Sequence, residues 1–170
     1  MSRNFPIFAF SLGREFKLSV AEIASVCGFK SLISVSPGLA LVRFEKREDA
    51  IAAFAKLGGS IRLFEIQSEC VSGEFATKST EYFKKAMSAE GKNSFALASV
   101  GADLPLGELS LRVKKFLKDQ FSLRACNTTD RTINAASFKK DKLSETLLET
   151  AYLEIDKKGY FGITLACQDV

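Results

Sequence analysis

The apolar positions of the first 71 residues change period in a regular order. Residues 5–12 form an apolar run of strand composition, broken at Gly13 and Arg14. From Leu18 the spacing turns helical. Ser19 is placed to cap the first turn and Glu22 to complete the capping box. Leu18 and Ile23 can form the hydrophobic staple, and Gly28 supplies the stop. Residues 32–35 and 39–44 are short strands flanking Pro37-Gly38, which predicts a hairpin. Residues 47–57 put Ala50, Ile51, Phe54 and Leu57 on one helix face and end at Gly58-Gly59. Residues 61–71 alternate as a strand with one exposed face. Strand, helix, strand, strand, helix, strand is the ferredoxin-like pattern: an antiparallel sheet with two helices on one side.

Small and polar residues at 72–77 read as a linker, after which the pattern starts afresh. A helix is predicted over 80–89 with Tyr82, Phe83, Ala86 and Met87 inward, then a strand over 94–101. The longest helix is expected at 106–121, with Leu109, Val113, Phe116 and Leu117 on its buried stripe. A strand at 122–126, a polar turn at 127–131 and a helix at 134–147 follow. Strands 152–155 and 160–167 around the turn 156–159 form a terminal hairpin. The expected fold class is α+β: a ferredoxin-like βαββαβ domain over 1–71, then an α/β domain over 72–170. No repeat of about 20–50 residues interrupts this reading.

Composition removes several chemistries. The 170 residues include no His, so no Ser-His-Asp triad, Cys-His dyad or His-ligated metal can be built. Apolar runs such as 39–42 fall far short of the ~20 residues that span hydrocarbon, and the N-terminal apolar stretch is too short for a secretory signal. A cytoplasmic protein with no membrane partner is expected. Cys27, Cys70, Cys126 and Cys167 are scattered, which predicts four reduced and mostly buried thiols. No glycine-rich nucleotide motif is present, and Gly58-Gly59 leads into a strand, so it reads as a helix stop. Glu145 and Glu149 read as an ordinary exposed face. Cys126 lies near Arg124 and Arg131 but has no base nearby in sequence. The expectation is no catalytic residue, no cofactor and no metal.

Charge changes the picture more than composition does. The chain carries 24 Lys+Arg and 20 Asp+Glu, net +4. Between 112 and 142, nine basic residues meet only Asp119, Asp130 and Asp141, so this window is net +6 and the rest of the chain is net −2. Lys114 and Lys118 share one helix side, as do Arg112 and Lys115; Lys139 and Lys142 pair likewise on the next helix. If both helices and the Arg124 strand lie together, their cations form one surface suited to phosphate. The candidate RNA-binding residues are Lys114, Lys115, Lys118, Arg124, Arg131, Lys139, Lys140 and Lys142. The plainer reading is solvated helix faces that keep the protein soluble. Phe138, directly before Lys139-Lys140, is read first as core and second as a stacking platform for a base.

Five segments in order resemble the THUMP-containing tRNA guanosine-N2-methyltransferases of archaea and eukaryotes and similar bacterial proteins. Arg14-Glu15-Phe16-Lys17-Leu18-Ser19-Val20-Ala21-Glu22-Ile23 is similar to their first-helix entry, and Leu57-Gly58-Gly59-Ser60-Ile61-Arg62 to their "leucine-glycine-glycine-threonine-isoleucine-lysine" strand entry. Residues 111–117 with Ser122-Leu123-Arg124 resemble the helix-to-strand step of their THUMP domain. Asn134-Ala135-Ala136-Ser137-Phe138-Lys139-Lys140-Asp141-Lys142-Leu143 is similar to a THUMP helix, with Ala135-Ala136 in place of a serine pair. Residues 159–169 look like its closing strand. The resemblance implies a ferredoxin-like domain and a THUMP domain that dock tRNA, THUMP at the 3′ acceptor end. It also implies a following Rossmann-like domain that methylates guanine with S-adenosylmethionine.

Arg124 and the 139–142 cations match basic family positions. The family's Asp/Asn-Pro-Pro-Tyr and cofactor motifs are missing before Val170. The expectation is therefore an RNA-binding module, a fragment or a stand-alone subunit, that docks tRNA for a methyltransferase domain or subunit. S-adenosylmethionine enters only with that domain. The alternative is a protein-interaction or small-ligand regulatory module with no nucleic-acid binding.

Overall fold

The structure, a computed structural model, describes residues 6–142 and 147–168. The first half runs β1 (Ile7–Leu12), α1 (Phe16–Cys27), β2 (Leu32–Ser36), β3 (Leu39–Arg43), α2 (Arg47–Phe54) and β4 (Ser60–Glu69). Its strands lie in the order β2-β3-β1-β4, every neighbour antiparallel, as the ferredoxin-like pattern requires. The second half runs α3 (Phe75–Ala86), β5 (Lys92–Val100), α4 (Leu106–Leu117), β6 (Ser122–Ala125), α5 (Ala135–Lys142), β7 (Leu147–Ile155) and β8 (Lys158–Cys167). β5 pairs in parallel with both β6 and β7. The β7–β8 hairpin turns at Asp156 and Lys157, both with positive φ, which the right-handed twist of a two-residue turn favours. β8 also pairs antiparallel with β4, so one eight-stranded sheet, β2-β3-β1-β4-β8-β7-β5-β6, runs through both halves. The protein is a mixed α+β structure, with five α-helices among the described residues.

Strand alternation sorts the core by face. On one face α1, α2 and the turn after α2 bring Ile23, Phe54 and Leu57 onto Phe8, Phe10 and Leu63. On that same face α3 and α4 bring Phe75, Phe83, Val113 and Leu117 onto Phe95, Leu97, Tyr152 and Phe161. The opposite face curls on itself: Ala9, Leu41 and Phe64 of the first half meet Ala98, Ala151 and Leu153 of the second. Beside this seam, α5 sets Phe138 on Ala96 and Leu147. Because Ala96 and Leu97 point to opposite sides of β5, α5 and α4 cover opposite faces of the sheet.

The topology explains this split. The crossover from β5 through α4 reaches β6 on one side of β5. The crossover from β6 through α5 returns past β5 to β7 on the other. Two right-handed parallel crossovers that travel in opposite directions must place their helices on opposite faces.

Several local expectations are corrected. Ser19 is not a cap but sits inside α1, which starts at Phe16. Its Oγ donates to the Gly59 carbonyl at 2.9 Å, while the Gly59 N–H donates to Glu22 Oε2 at 2.8 Å. The supposed capping pair thus clamps the entry to β4. The linker is shorter than expected: only 72–74 form a turn, and buried Phe75 already opens α3. α4 ends at Leu117, and Phe116 is 62% exposed because its position on the helix turns it away from the sheet. Ala86 and Ile51 are also exposed. Residues 143–146 of the expected 134–147 helix lie outside the described residues, and Leu147 opens β7 instead. No helix among the described residues is long and apolar enough to cross a membrane.

Candidate nucleic-acid interface

The loop 126–134 leaves β6 at the carboxyl end of the parallel strands and is pinned to β5 by side chains that imitate a strand. Buried Asn127 accepts from the Leu97 N–H at 2.7 Å and donates from Nδ2 to the Leu97 carbonyl at 2.8 Å. Thr132 Oγ1 accepts from the Ser99 N–H at 3.0 Å and donates back to the Ser99 carbonyl at 3.3 Å. Asp130 Oδ1 accepts from the Gly107 N–H at 2.9 Å, in the first turn of α4. Asn134 Oδ1 accepts from the Ser137 N–H at 2.8 Å and caps α5. Four polar side chains therefore hold a short loop in one shape.

That loop and β6 line a cleft of about 500 Å³. Its walls carry Arg124 and Arg131, the hydroxyls of Thr128, Thr129 and Ser137, and the half-buried Cys126. Arg124 points here because its strand neighbours Leu123 and Ala125 turn toward α4. Lys139 and Lys140 are exposed on α5, one helical turn beyond Ser137. The cleft lies at the carboxyl end of β6, where the chain leaves for α5. Arginine forks and hydroxyl donors suit phosphate oxygens.

The expected single basic strip does not form. Lys114, Lys115 and Lys118 are exposed on the α4 side of the sheet, whereas Arg124, Lys139 and Lys140 lie on the α5 side. The structure brings Arg124 and Arg131 together at one cleft with Lys139 and Lys140 nearby, and separates them from the α4 lysines. Lys142 lies on α5. Phe138 is 4% exposed, so it serves as core and not as a stacking platform.

Two buried charges escaped the sequence reading. Glu149, expected on an exposed face, is 4% exposed, and Arg62 is 5% exposed. Arg62 Nε donates to Glu149 Oε1 at 2.9 Å. Thr164 Oγ1 donates to the same oxygen at 2.7 Å. A second hollow of about 600 Å³, lined by Arg14, Glu15, Glu22 and Gly59 among others, mixes both signs of charge. No group of three or more metal-ligating side chains occurs among the described residues. Cys70 is fully buried and Cys27, Cys126 and Cys167 are half-buried, so fewer are buried than expected. Burial pushes the Cys27 and Cys70 thiols above their ordinary 9.0.

No protein family's model matches the chain, and no curated protein matches its sequence. Solved structures share its fold. PH1313 from Pyrococcus horikoshii Ot3 superposes with a TM-score of 0.56 at 10% identity, over 96% of this chain and 55% of that one. TrmN from Thermus thermophilus gives 0.52 at 12% identity, over 95% and 46%. A 4-thiouridine synthetase solved as an RNA complex with bound ATP gives 0.51 at 12% identity, over 97% and 42%. This chain thus spans about half the length of these structures.

Proposed function

We propose that this chain is a THUMP-type RNA-binding module that docks tRNA, with the cleft between β6 and α5 as its phosphate-binding site. The observation that carries this reading is the pairing of Arg124 and Arg131 on the walls of a cleft shaped by a pinned loop. Support also comes from the fold shared with a 4-thiouridine synthetase solved as an RNA complex. Residues 1–71 act as the ferredoxin-like domain and 72–170 as the THUMP domain, and the RNA contacted is the tRNA acceptor end. A methyltransferase domain or subunit, with its own S-adenosylmethionine, completes the active protein in the cytoplasm.

The test is a titration of tRNA against rising salt. Phosphate contacts release counterions, so affinity is expected to fall steeply with salt, and removing the unpaired acceptor tail is expected to weaken it further. Absence of binding to intact tRNA, or binding indifferent to salt, overturns the proposal.

A second reading applies to the other face. Leu111 and Phe116 on α4 are 67% and 62% exposed, and aromatic and aliphatic side chains of that size serve protein contacts better than phosphate. The α4 face is therefore the place where a partner domain would rest.

A further inference from the structure

We infer that Arg62, from the ferredoxin-like half, is a positioning residue for the basic cleft: it props the cleft wall through Ile133 and Phe138 without facing the ligand. This rests on the cleft being the RNA site. Arg62 stands on β4, and its guanidinium passes under α5. Nη2 donates to the Ile133 carbonyl at 2.5 Å, and the guanidinium carbon lies 5.4 Å from the centroid of the Phe138 ring. Ile133 is itself a cleft-lining residue, and Phe138 directly follows another, Ser137.

The reason α5 needs this prop lies in its sequence. Its eight described residues, Ala-Ala-Ser-Phe-Lys-Lys-Asp-Lys, are mostly small or charged and offer little apolar surface. Phe138 is the one large apolar side chain among these described residues, and its ring packs with Ala96 and Leu147. Arg62 fills the space against the ring and at the same time fixes the chain just before the helix. Glu149 on β7 aims the guanidinium through two contacts, Nε to Oε1 at 2.9 Å and Nη2 to Oε2 at 3.4 Å. Thr164 on β8 holds the carboxylate from between them. The chain of contacts therefore runs from β4, across β8 to β7, and up into the loop that carries Arg131.

Removing Arg62 alone strands a buried carboxylate and threatens the fold. The better variant replaces the pair together, Arg62→Met with Glu149→Met, because apolar side chains of similar volume keep a core packed. Two measurements on the full chain then decide. Hydrogen exchange at the Ser137 and Phe138 amides is expected to speed up at least tenfold, while the β5 and β7 amides stay protected. This readout needs no RNA, so it stands even if the RNA reading fails. Titration with tRNA is expected to show about a tenfold loss that shrinks to under threefold in an Arg131→Ala background, since both changes disable the same wall. Unchanged exchange at Ser137 and Phe138 overturns the inference. So does a tRNA loss that simply multiplies with that of Arg131→Ala. Wild-type protein that binds tRNA with no effect of Arg131→Ala instead overturns the choice of cleft, and the exchange result still judges the prop.

Discussion

Asn127 pairs its side-chain amide with both backbone groups of Leu97, at 2.7 and 2.8 Å, and so extends β6 by one strand position without using its own backbone. The same Nδ2 also reaches the Arg131 carbonyl at 3.3 Å, which ties the pairing to the residue on the cleft wall. Replacing Asn127 by Leu leaves a buried N–H and carbonyl of Leu97 without partners. Each such orphan costs about 1–3 kcal/mol, so urea unfolding is expected to show a loss of about 2–4 kcal/mol. A loss below about 0.5 kcal/mol would mean that water replaces the amide freely.

Gly59 is confined by α1. A Cβ there would collide with Ser19 Oγ and lie 3.0 Å from Glu22 Oε2. Gly59→Ala is expected to destabilise by about 1–3 kcal/mol through this overpacking. Ser19→Ala should cost less, about 1 kcal/mol, because it removes one hydrogen bond and opens space. In the combined variant Ser19→Ala, Gly59→Ala, the Gly59 penalty should shrink, which thermal or urea midpoints can check.

Charge reversal separates the two basic faces. Arg124→Glu with Arg131→Glu is expected to weaken tRNA binding more than tenfold, about 1.4 kcal/mol or more. Lys114→Glu, Lys115→Glu and Lys118→Glu together are expected to change it by about threefold at most near physiological salt, where charges beyond about 8 Å are screened. Equal losses from the two sets would show that RNA wraps both faces of the sheet.

Alkaline pH probes the core beneath α3. Burial pushes the Cys70 thiol above 9.0, opposed by Lys78 and aided by Glu74. Burial, helped by the hydrogen bond to Glu154, pushes the Tyr152 phenol above 10.0. Both groups ionise first in the unfolded chain, so their contribution is whole below those ordinary values and is lost as pH climbs through the folded ones. The urea midpoint should hold steady from about pH 7 to 8 and decline above about pH 9. Tyr152→Phe should flatten the upper part of that decline; a wild-type midpoint level to about pH 11 would contradict it.

Much of the architecture was legible along the chain. The βαββαβ order, the Pro37-Gly38 hairpin, the terminal hairpin and the stripe of Leu109, Val113 and Leu117 all follow from local periodicity, and periodicity is set by backbone geometry. Arg124 and Arg131 were legible as cations. What they would line was not. Asn127 and Thr132 read as turn formers because nothing local says that an edge strand will need their side chains. Ser19 and Glu22 carried a capping spacing, yet a neighbouring glycine 37 residues beyond Glu22 claimed them.

The sequence by itself determined which residues alternate and which repeat every three to four positions, and hence the number and kind of most elements and the net +6 of residues 112–142. Only tertiary structure decided that β6 lies beside β5 and not beyond β7, and with it the fate of that charge. Strand order is a choice among distant partners, invisible to local pattern. Once made, the fixed hand of parallel crossovers sends α4 and α5 to opposite faces, dividing the cations and buttressing Phe138 with an arginine from the other half.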